Sequence, residues 1–314
     1  MEKKLKILIL GADGFLGSNL AVSLLKEEKY QIRAFDLFQD GKSRNLEEYR
    51  GKMELFQGNF LNREDLKIAL ENIDYVFHFV SFTTPGSSMK DPLIDIETNL
   101  KGTVELLEEC VKAKVKKIIF PSSGGAIYGD QNKESYSEED PLLPISPYAI
   151  SKLALERYFE YFRVTHDLDY LILRLSNPYG PRQNIIGNQG IVPIFLNLIK
   201  NNQPVTVFGD GNNVRDYIFI DDTIQNIKRL AFKKKSFYRI YNIGSGIGTS
   251  INELLAIMGK ITKKKISLQI EAERKSDLKS IILNVRRAES EIEYSSKTNL
   301  EQGIKKTWEW IKKL

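Results

Sequence analysis

The chain has 314 residues, of which 42% are hydrophobic and 28% are charged, and its formal net charge is +5. This length and composition are ordinary for a water-soluble globular protein with one large or two modest domains. No apolar run approaches the roughly 18 residues that a membrane-spanning helix needs, so we expect no membrane partner.

Charge and metal-ligating residues exclude further classes of protein. The lysines form short clusters rather than a long basic tract with interleaved aromatic residues, so we expect no nucleic-acid partner. The single cysteine, Cys110, excludes an internal disulfide and a multi-thiolate metal site. The two histidines, His78 and His166, are scattered, which argues against a histidine metal site or a Ser-His-Asp hydrolase, so we expect no metal. The N-terminus lacks a long apolar region, so we expect no signal peptide and a cytoplasmic location.

The first predicted elements are a strand, a glycine-rich turn and a helix. The apolar run Ile7–Leu10 predicts a short buried strand, and Gly11, Gly14 and Gly17 follow with two residues between each pair. Leucines at helical spacing come next. This context predicts a dinucleotide-binding loop rather than a ligand-free turn. A phosphate needs close approach to the backbone, and the free N–H groups at a helix start suit a pyrophosphate.

The second predicted strand, Gln31–Asp36, ends in an acid. A carboxylate at this point can accept both hydroxyls of an adenosine ribose and repels a 2′-phosphate. Asp36 therefore predicts NAD as the cofactor, and a turn-capping aspartate is the alternative interpretation. Two nearby cations, Arg33 and Lys42, leave NADP open.

Three more predicted strands complete a parallel sheet: Met53–Gly58, Tyr75–Val80 and Val115–Pro121. The second of these is continuously apolar, as expected where helices cover both faces. His78 within it is interpreted as a hydrogen-bonded core residue. The polar loop Ser81–Ser88 follows that strand at the sheet edge where α/β proteins bind ligands. The alternation of strands and helices predicts an α/β fold with a doubly wound parallel sheet.

A tyrosine and a lysine follow the fifth strand on one predicted helix. Tyr148 and Lys152 are four residues apart, so they share a helical face. A phenol ionises near a pH of about 10 and is a poor base at neutral pH. A neighbouring ammonium favours the phenolate. The Tyr148–Lys152 spacing alone is weak evidence for a catalytic pair, because such spacings arise by chance. The glycine loop and Asp36 strengthen that evidence.

Together these motifs resemble the extended short-chain dehydrogenase/reductase superfamily, and within it the NAD-dependent sugar-nucleotide epimerase/dehydratase family. UDP-glucose and UDP-N-acetylglucosamine 4-epimerases are the closest type. Three later stretches extend the resemblance nearly end to end: Leu173–Gln183, Phe208–Ile218 and Tyr241–Gly246. The resemblance implies an NAD-binding Rossmann domain over residues 1–176, to which the chain returns around 216–243. It also implies a smaller α/β domain over residues 177–314 that binds a nucleoside-diphosphate sugar.

The resemblance also assigns roles to individual residues. The implied catalytic residues are Tyr148, Lys152 and Ser123. The implied cofactor-binding residues are Gly11, Asp13, Gly14, Phe15, Leu16, Gly17, Asp36, Asn59, Phe60, Val80, Asn99, Ser122, Tyr148 and Lys152. The implied substrate-binding residues are Thr83, Ser123, Asn177, Arg215, Arg274 and Asp277. Surface salt bridging is the alternative role for the two arginines.

One departure from the family pattern concerns a hydroxyl. Most relatives carry Ser or Thr at the position of Gly124, where the hydroxyl bonds the reacting group together with the tyrosine. One branch instead carries Thr at the position of Ala126. This chain lacks both, and Ser122, Ser123 and Thr83 are the candidates to replace the missing hydroxyl.

The resemblance implies an enzyme of carbohydrate metabolism, such as polysaccharide biosynthesis. The expected reaction is epimerisation at C4 of UDP-glucose/galactose or UDP-GlcNAc/GalNAc through a transient 4-keto sugar. The alternatives are an NAD(P)H-dependent 4-ketoreductase of a dTDP- or other NDP-4-keto-6-deoxy sugar and a non-catalytic NAD-binding regulator. Gly125 and Ala126 supply neither the acid nor the base of a 4,6-dehydratase. A homodimer through helices around 99–113 and 151–165 is also implied.

Overall fold

The computed structural model describes residues 4–187, 190–273 and 278–314. The chain divides into two compact units. The first unit is Met1–Ser122 with Ser146–Leu173, and the second is Ser123–Ile145 with Arg174–Leu314. No helix in the described ranges is both long and apolar enough to cross a membrane.

The first unit alternates strands with helices, as the sequence predicts. Its strands are β1 (Leu5–Leu10), β2 (Tyr30–Asp36), β3 (Glu54–Gln57), β4 (Tyr75–His78), β5 (Lys117–Ser123) and β6 (Asp169–Leu175). Its helices are α1 (Phe15–Leu24), α2 (Arg63–Ala69), α3 (Pro85–Ser88), α4 (Pro92–Ile94), α5 (Lys101–Lys112) and α6 (Pro147–His166). A π-helical turn (Asp95–Leu100) and two 3₁₀ turns (Gln39–Gly41 and Glu47–Tyr49) complete it.

The second unit is also a mixture of strands and helices. Its strands are β7 (Asn177–Tyr179), β8 (Val205–Phe208), β9 (Val214–Phe219), β10 (Ile240–Ile243), β11 (Gly248–Ser250), β12 (Leu268–Glu271) and β13 (Ser280–Ile281). Its helices are α7 (Ile191–Lys200), α8 (Ile220–Ala231), α9 (Ile251–Thr262), α10 (Arg286–Glu291) and α11 (Leu300–Ile311).

The central sheet is mostly parallel and, within the described ranges, contains seven strands in the order β10-β6-β5-β4-β1-β2-β3. Strand β1 pairs in parallel with β2 and β4, so that Leu10 lies opposite both Phe35 and His78. Residues Ile7–Leu10 are fully buried, because helices cover both faces of such a sheet. The order places the carboxyl ends of β1, β2, β4 and β5 along one edge. The predicted doubly wound α/β fold is confirmed.

His78 is a core residue, as its apolar surroundings predict. It is 1% exposed, and its Nε2 atom lies 2.9 Å from the Thr103 hydroxyl. Its ring stacks on Phe60 at a centroid distance of 4.9 Å. Burial, assisted by the charge of Lys152, lowers the pKa of His78 to about 3. The imidazole is therefore neutral at physiological pH.

Asp216 organises the core of the second unit. It has no exposed surface, and its Oδ1 atom accepts hydrogen bonds from the backbone and hydroxyl of Ser245, both at 2.7 Å. Its Oδ2 atom accepts from the backbone N–H groups of Gly246 and Leu283, both at 3.2 Å. A Cβ on Gly244 would lie 2.2 Å from Oδ2, so glycine is required there. One carboxylate thus joins the turn after β10 to the segment after β13.

We expect Asp216→Asn to lower the free energy of unfolding by about 2 kcal/mol, because an amide NH₂ would then face backbone N–H donors in a buried site. Chemical denaturation measures the loss. The control is Asp40→Asn, an exposed aspartate whose left-handed backbone suits asparagine. Equal losses of unfolding free energy in the two variants would contradict the structural role assigned to Asp216.

Candidate active site

The glycine loop between β1 and α1 leaves its backbone accessible, because side chains are absent at its close contacts. Gly11 has a φ of +76°, a conformation that other residues rarely adopt. A Cβ on Gly17 would lie 2.2 Å from the carbonyl oxygen of Gly11. No side chain caps α1 at Gly14, which leaves the first-turn N–H groups available to a ligand. Phe15 and Leu16 supply two of these groups. The loop therefore fits a dinucleotide pyrophosphate.

Asp36 lies at the carboxyl end of β2 beside this loop. Its Oδ2 atom accepts the backbone N–H of Asp13 and its Oδ1 atom accepts that of Leu37, each at 2.8 Å. Burial raises the pKa of Asp36, and these two hydrogen bonds oppose that shift. Each oxygen keeps a further lone pair for a ribose hydroxyl. The arrangement fits the adenosine end of NAD.

The Asp13 side chain makes long-range hydrogen bonds that the sequence analysis does not predict. Its carboxylate accepts hydrogen bonds from the backbone N–H groups of Arg44 and Asn45, each at 2.8 Å, and from the Ser43 hydroxyl. The Asn45 side-chain amide donates a hydrogen bond to the Asp13 carbonyl at 2.7 Å. Asp13 therefore anchors the segment after β2 against the glycine loop. An acid inside a glycine-rich loop was the available signal.

The other residues assigned to the cofactor lie at the ends of β3 and β4. The Asn59 side-chain oxygen accepts the Leu61 N–H at 3.0 Å, and Phe60 is buried against His78. Val80 follows β4, where its backbone nitrogen would lie 3.1 Å from a Cβ on Gly11. These contacts place the three residues along the same sheet edge as the loop.

Tyr148 and Lys152 lie in the first two turns of α6. The helix begins where Ser146 accepts the Ala149 N–H at 3.3 Å, with Pro147 as its first residue. The backbone N–H of Tyr148 donates to the Ser88 hydroxyl at 3.2 Å. This bond ties the start of α6 to the short helix α3, which follows β4.

The Lys152 ammonium is buried beneath the tyrosine. It is 7% exposed and donates to the Pro121 carbonyl at 3.0 Å, at the end of β5. Its Nζ atom lies 4.3 Å from the centre of the Phe120 ring and 5.7 Å from that of Tyr148. Burial lowers the pKa of Lys152 to about 8, although Asp95 and Glu156 act in the opposite direction. The lysine can therefore gain or lose a proton close to neutral pH.

Thr83, predicted to contact substrate, is bonded inside the first unit. Its hydroxyl donates to Asp95 Oδ1 at 2.8 Å and accepts from the Asn99 amide at 2.9 Å. Asn99 also accepts the Phe82 N–H at 3.0 Å, so it fixes the loop after β4. Sequence reasoning did not single out Asp95. The available signal was an acid one turn before Asn99.

The segment after β5 shows why a hydroxyl is absent at Gly124. Within the second unit, a Cβ on Gly124 would lie 2.5 Å from Leu283 Cδ1 and 3.0 Å from the Arg174 carbonyl oxygen. The Leu283 side chain therefore fills the space. In the first unit, the Ser122 hydroxyl is buried and has no hydrogen-bond partner among the described residues. Ser123 is half-buried, and its carbonyl accepts the Ile127 N–H at 3.1 Å.

The predicted substrate residues of the second unit lie on neighbouring strands. The Asn177 amide on β7 donates to the Asp216 carbonyl at 3.1 Å. Arg215 on β9 donates to the Val214 carbonyl at 2.8 Å. Arg274 and Asp277 lie outside the described residues.

We expect Gly124→Ser to lower the free energy of unfolding by about 1–3 kcal/mol, because the new side chain overlaps Leu283. Gly125→Ser is the matched control, since the nearest atom to a Cβ there is 3.9 Å away. Adding Leu283→Ala to Gly124→Ser should cost less than the sum of the two single losses, measured by denaturation. Strict additivity would show that Leu283 does not fill this space.

Comparison with known proteins identifies the family. A model described as the NAD dependent epimerase/dehydratase family matches residues 7–244. A UDP-glucose 4-epimerase from Mycolicibacterium smegmatis is 31% identical and covers 98% of this chain and 99% of its own. A dTDP-4-dehydro-6-deoxyglucose reductase from Escherichia coli is 30% identical over 97% of this chain and 96% of its own.

A solved structure shares the fold over nearly the whole chain. The crystal structure of UDP-glucose 4-epimerase from Thermotoga maritima with UDP-glucose aligns with a TM-score of 0.91 and 35% identity. It covers 98% of this chain and 99% of its own. The glycine loop, the acid at the end of β2 and the tyrosine–lysine pair occur in a chain that belongs to the NAD-dependent epimerase/dehydratase family.

Proposed function

We propose that this protein is a 4-epimerase of a UDP-sugar of the glucose/galactose or GlcNAc/GalNAc type, acting through a transient 4-keto sugar. The observation that carries the proposal is the Tyr148–Lys152 pair, with a buried ammonium fixed beneath the tyrosine by the Pro121 carbonyl. The similar proteins from M. smegmatis and T. maritima, both named UDP-glucose 4-epimerases, support the reaction class.

The cofactor is NAD. The glycine loop and Asp36 would hold it, and when bound it supplies the hydride acceptor and donor for oxidation and reduction at the same carbon. The loop residues contribute backbone N–H groups to the pyrophosphate, and Asp36 accepts ribose hydroxyls while repelling a 2′-phosphate.

Tyr148 performs the proton chemistry. As C4 of the sugar is oxidised, its phenolate takes the proton of the C4 hydroxyl, and it returns that proton when C4 is reduced from the other face. Lys152 makes this possible, since a positive charge near a phenol stabilises the phenolate. Ser122 or Ser123 is the proposed second hydrogen-bonding group, because Leu283 fills the space at Gly124.

The remaining roles follow from the family pattern. Asn177, Arg215 and Arg274 would bind the diphosphate, and Asp277 the ribose of the uridine. In this proposal residues 1–176, with a return around 216–243, bind NAD, and residues 177–314 bind the sugar nucleotide in a cytoplasmic enzyme.

A homodimer is also part of the proposal. Helix α6 leaves four large apolar side chains uncovered, which supports a second copy packing against it. These residues are Ile150, Tyr158, Tyr161 and Val164.

A 4-ketoreductase is the second candidate function. It is favoured by the similarity to the E. coli dTDP-4-dehydro-6-deoxyglucose reductase, and it would use the same Tyr148 and Lys152. It consumes one reduced cofactor per turnover, whereas the epimerase regenerates its cofactor. Stoichiometric oxidation of NADH or NADPH with a 4-keto-6-deoxy sugar nucleotide separates the two. The third candidate, a non-catalytic NAD-binding regulator, is not supported, because both Tyr148 and Lys152 are present in the site.

The direct test is to incubate the protein with UDP-glucose and UDP-N-acetylglucosamine and to resolve the 4-epimers by chromatography or proton NMR. We expect interconversion without net change in cofactor redox state. Absence of turnover of either sugar, with Tyr148→Phe indistinguishable from wild type, would overturn the proposal.

We expect Tyr148→Phe and Lys152→Met each to lower kcat by about 10²–10⁴-fold, because each removes part of the proton-transfer group. Tyr238→Phe, at a tyrosine that is 46% exposed and has no role in the proposal, is the matched control and should retain activity. The folded pKa of Lys152 is about 8, so kcat should fall as the pH rises through that value and the ammonium is lost. An alkaline limb that survives in Lys152→Met would contradict this assignment.

A further inference from the structure

The Tyr217 side chain on β9 places a polar group in the interior of the second unit. It is 6% exposed, and its hydroxyl is buried and has no hydrogen-bond partner among the described residues. The other buried tyrosines described in this unit each use their hydroxyl in a hydrogen bond; they are Tyr128, Tyr136, Tyr179 and Tyr241. An unsatisfied buried hydroxyl is costly, and phenylalanine would fill the same space without that cost. A ligand therefore explains this tyrosine better than stability does.

Tyr217 shares one face of its sheet with two of the predicted substrate residues. Asn177 on β7 is its register partner across the parallel pair of β7 and β9, and register partners point to the same face. Arg215 lies two residues before Tyr217 on β9, and side chains two apart along a strand share a face. Asn177 and Arg215 are both half-buried. The three side chains therefore form one group, of which Tyr217 is the most deeply buried member.

Helix α11 closes the other end of this face. Tyr179 and Phe219, the register pair two residues further along the strands, are each 2% exposed. A Cβ on Gly303 of α11 would overlap the Tyr179 hydroxyl and lie 3.0 Å from Phe219 Cδ2. The Tyr217 ring packs edge-on against the Tyr179 ring, with 6.4 Å between their centres. The Tyr217 ring is therefore held between the closed end of the face and its half-buried end.

All three side chains of the group can donate hydrogen bonds to an anion. The Asn177 amide has two N–H groups, and its bond to the Asp216 carbonyl uses one. Arg215 adds a positive charge, and a planar guanidinium suits the oxygens of a phosphate. Burial raises the pKa of Tyr217, and the charge of Arg215 acts in the opposite direction. The phenol is therefore protonated at neutral pH and remains a hydrogen-bond donor.

We propose that Tyr217 is a further substrate-binding residue: its hydroxyl donates a hydrogen bond to a phosphoryl oxygen of the nucleoside diphosphate that Asn177 and Arg215 also bind. The identity of this ligand rests on the proposed function. The cost of the unsatisfied hydroxyl in the ligand-free protein does not rest on it, and that cost is measurable without a ligand.

Thermal unfolding of the ligand-free protein tests the cost of the hydroxyl. We expect Tyr217→Phe to melt at the same temperature as wild type or higher, because the substitution removes a buried polar group that has no partner. Tyr241→Phe is the matched control and should melt at a lower temperature, since the Tyr241 hydroxyl donates to the Tyr238 carbonyl at 3.0 Å. A melting temperature of Tyr217→Phe below that of wild type would overturn the proposal.

Calorimetric titration with UDP tests the binding role. We expect Tyr217→Phe to bind UDP about 10–100-fold more weakly than wild type, because it lacks a hydrogen bond to a charged group. Its affinity for NAD, and the affinity of Tyr241→Phe for UDP, should equal those of wild type. Uridine, added as a competitor, carries no phosphate and should bind wild type and Tyr217→Phe equally. An unchanged affinity for UDP, or an equal loss of affinity for uridine, would rule out the contact with phosphate.

Turnover separates this role from that of Tyr148. Tyr217→Phe should raise KM for the sugar nucleotide about tenfold or more and leave kcat near the wild-type value, because a contact with the diphosphate is the same in the ground state and the transition state. A fall in kcat with an unchanged KM would contradict the proposal. If the protein epimerises no UDP-sugar, the proposed reaction is wrong, and the melting and UDP measurements still decide the role of Tyr217.

Discussion

The burial of one ammonium is the constraint on which the candidate active site depends. Removing a lysine from water costs several kcal/mol unless hydrogen bonds and opposite charge replace the solvent. Here the Pro121 carbonyl and the Phe120 ring supply the contacts. Both belong to β5, so the start of α6 is fixed to the carboxyl edge of the sheet. The glycine loop follows β1 at the same edge, which brings the tyrosine–lysine pair and the glycine loop to one side of the sheet.

The parts of this structure that were predictable from sequence are those with local causes. The apolar run Ile7–Leu10 and the glycine spacing predict a strand and a loop within twelve residues, and the structure confirms both the strand and the fold. Tyr148 and Lys152 share a helical face because they lie four residues apart in α6. Asp13 shows the limit: its carboxylate bonds to a segment thirty residues further along, and no local pattern specifies that distance.

The missing hydroxyl at Gly124 is a second case in which a residue distant in sequence determines the local structure. From the sequence, two small residues in place of Ser or Thr leave an open space. In the second unit that space holds Leu283, which comes from the far end of the chain. The Thr83 hydroxyl donates to Asp95, so its proton is already used. Ser122 is different, because its buried hydroxyl has no hydrogen-bond partner among the residues that the structure describes, and a buried polar group of that kind suits a ligand.

The charges around Lys152 are better explained by chemistry than by stability. A buried charge rarely stabilises a fold more than apolar side chains of the same volume, so stability alone gives no reason to bury Lys152. A phenol that acts as a base near neutral pH, the role proposed for Tyr148, does give a reason, since a cation close to its ring favours the phenolate. Burial lowers the pKa of Lys152 to about 8, and the charges of Asp95 and Glu156 act against that shift. A lysine with this pKa keeps part of its charge near neutral pH, which is what the role proposed for Tyr148 requires.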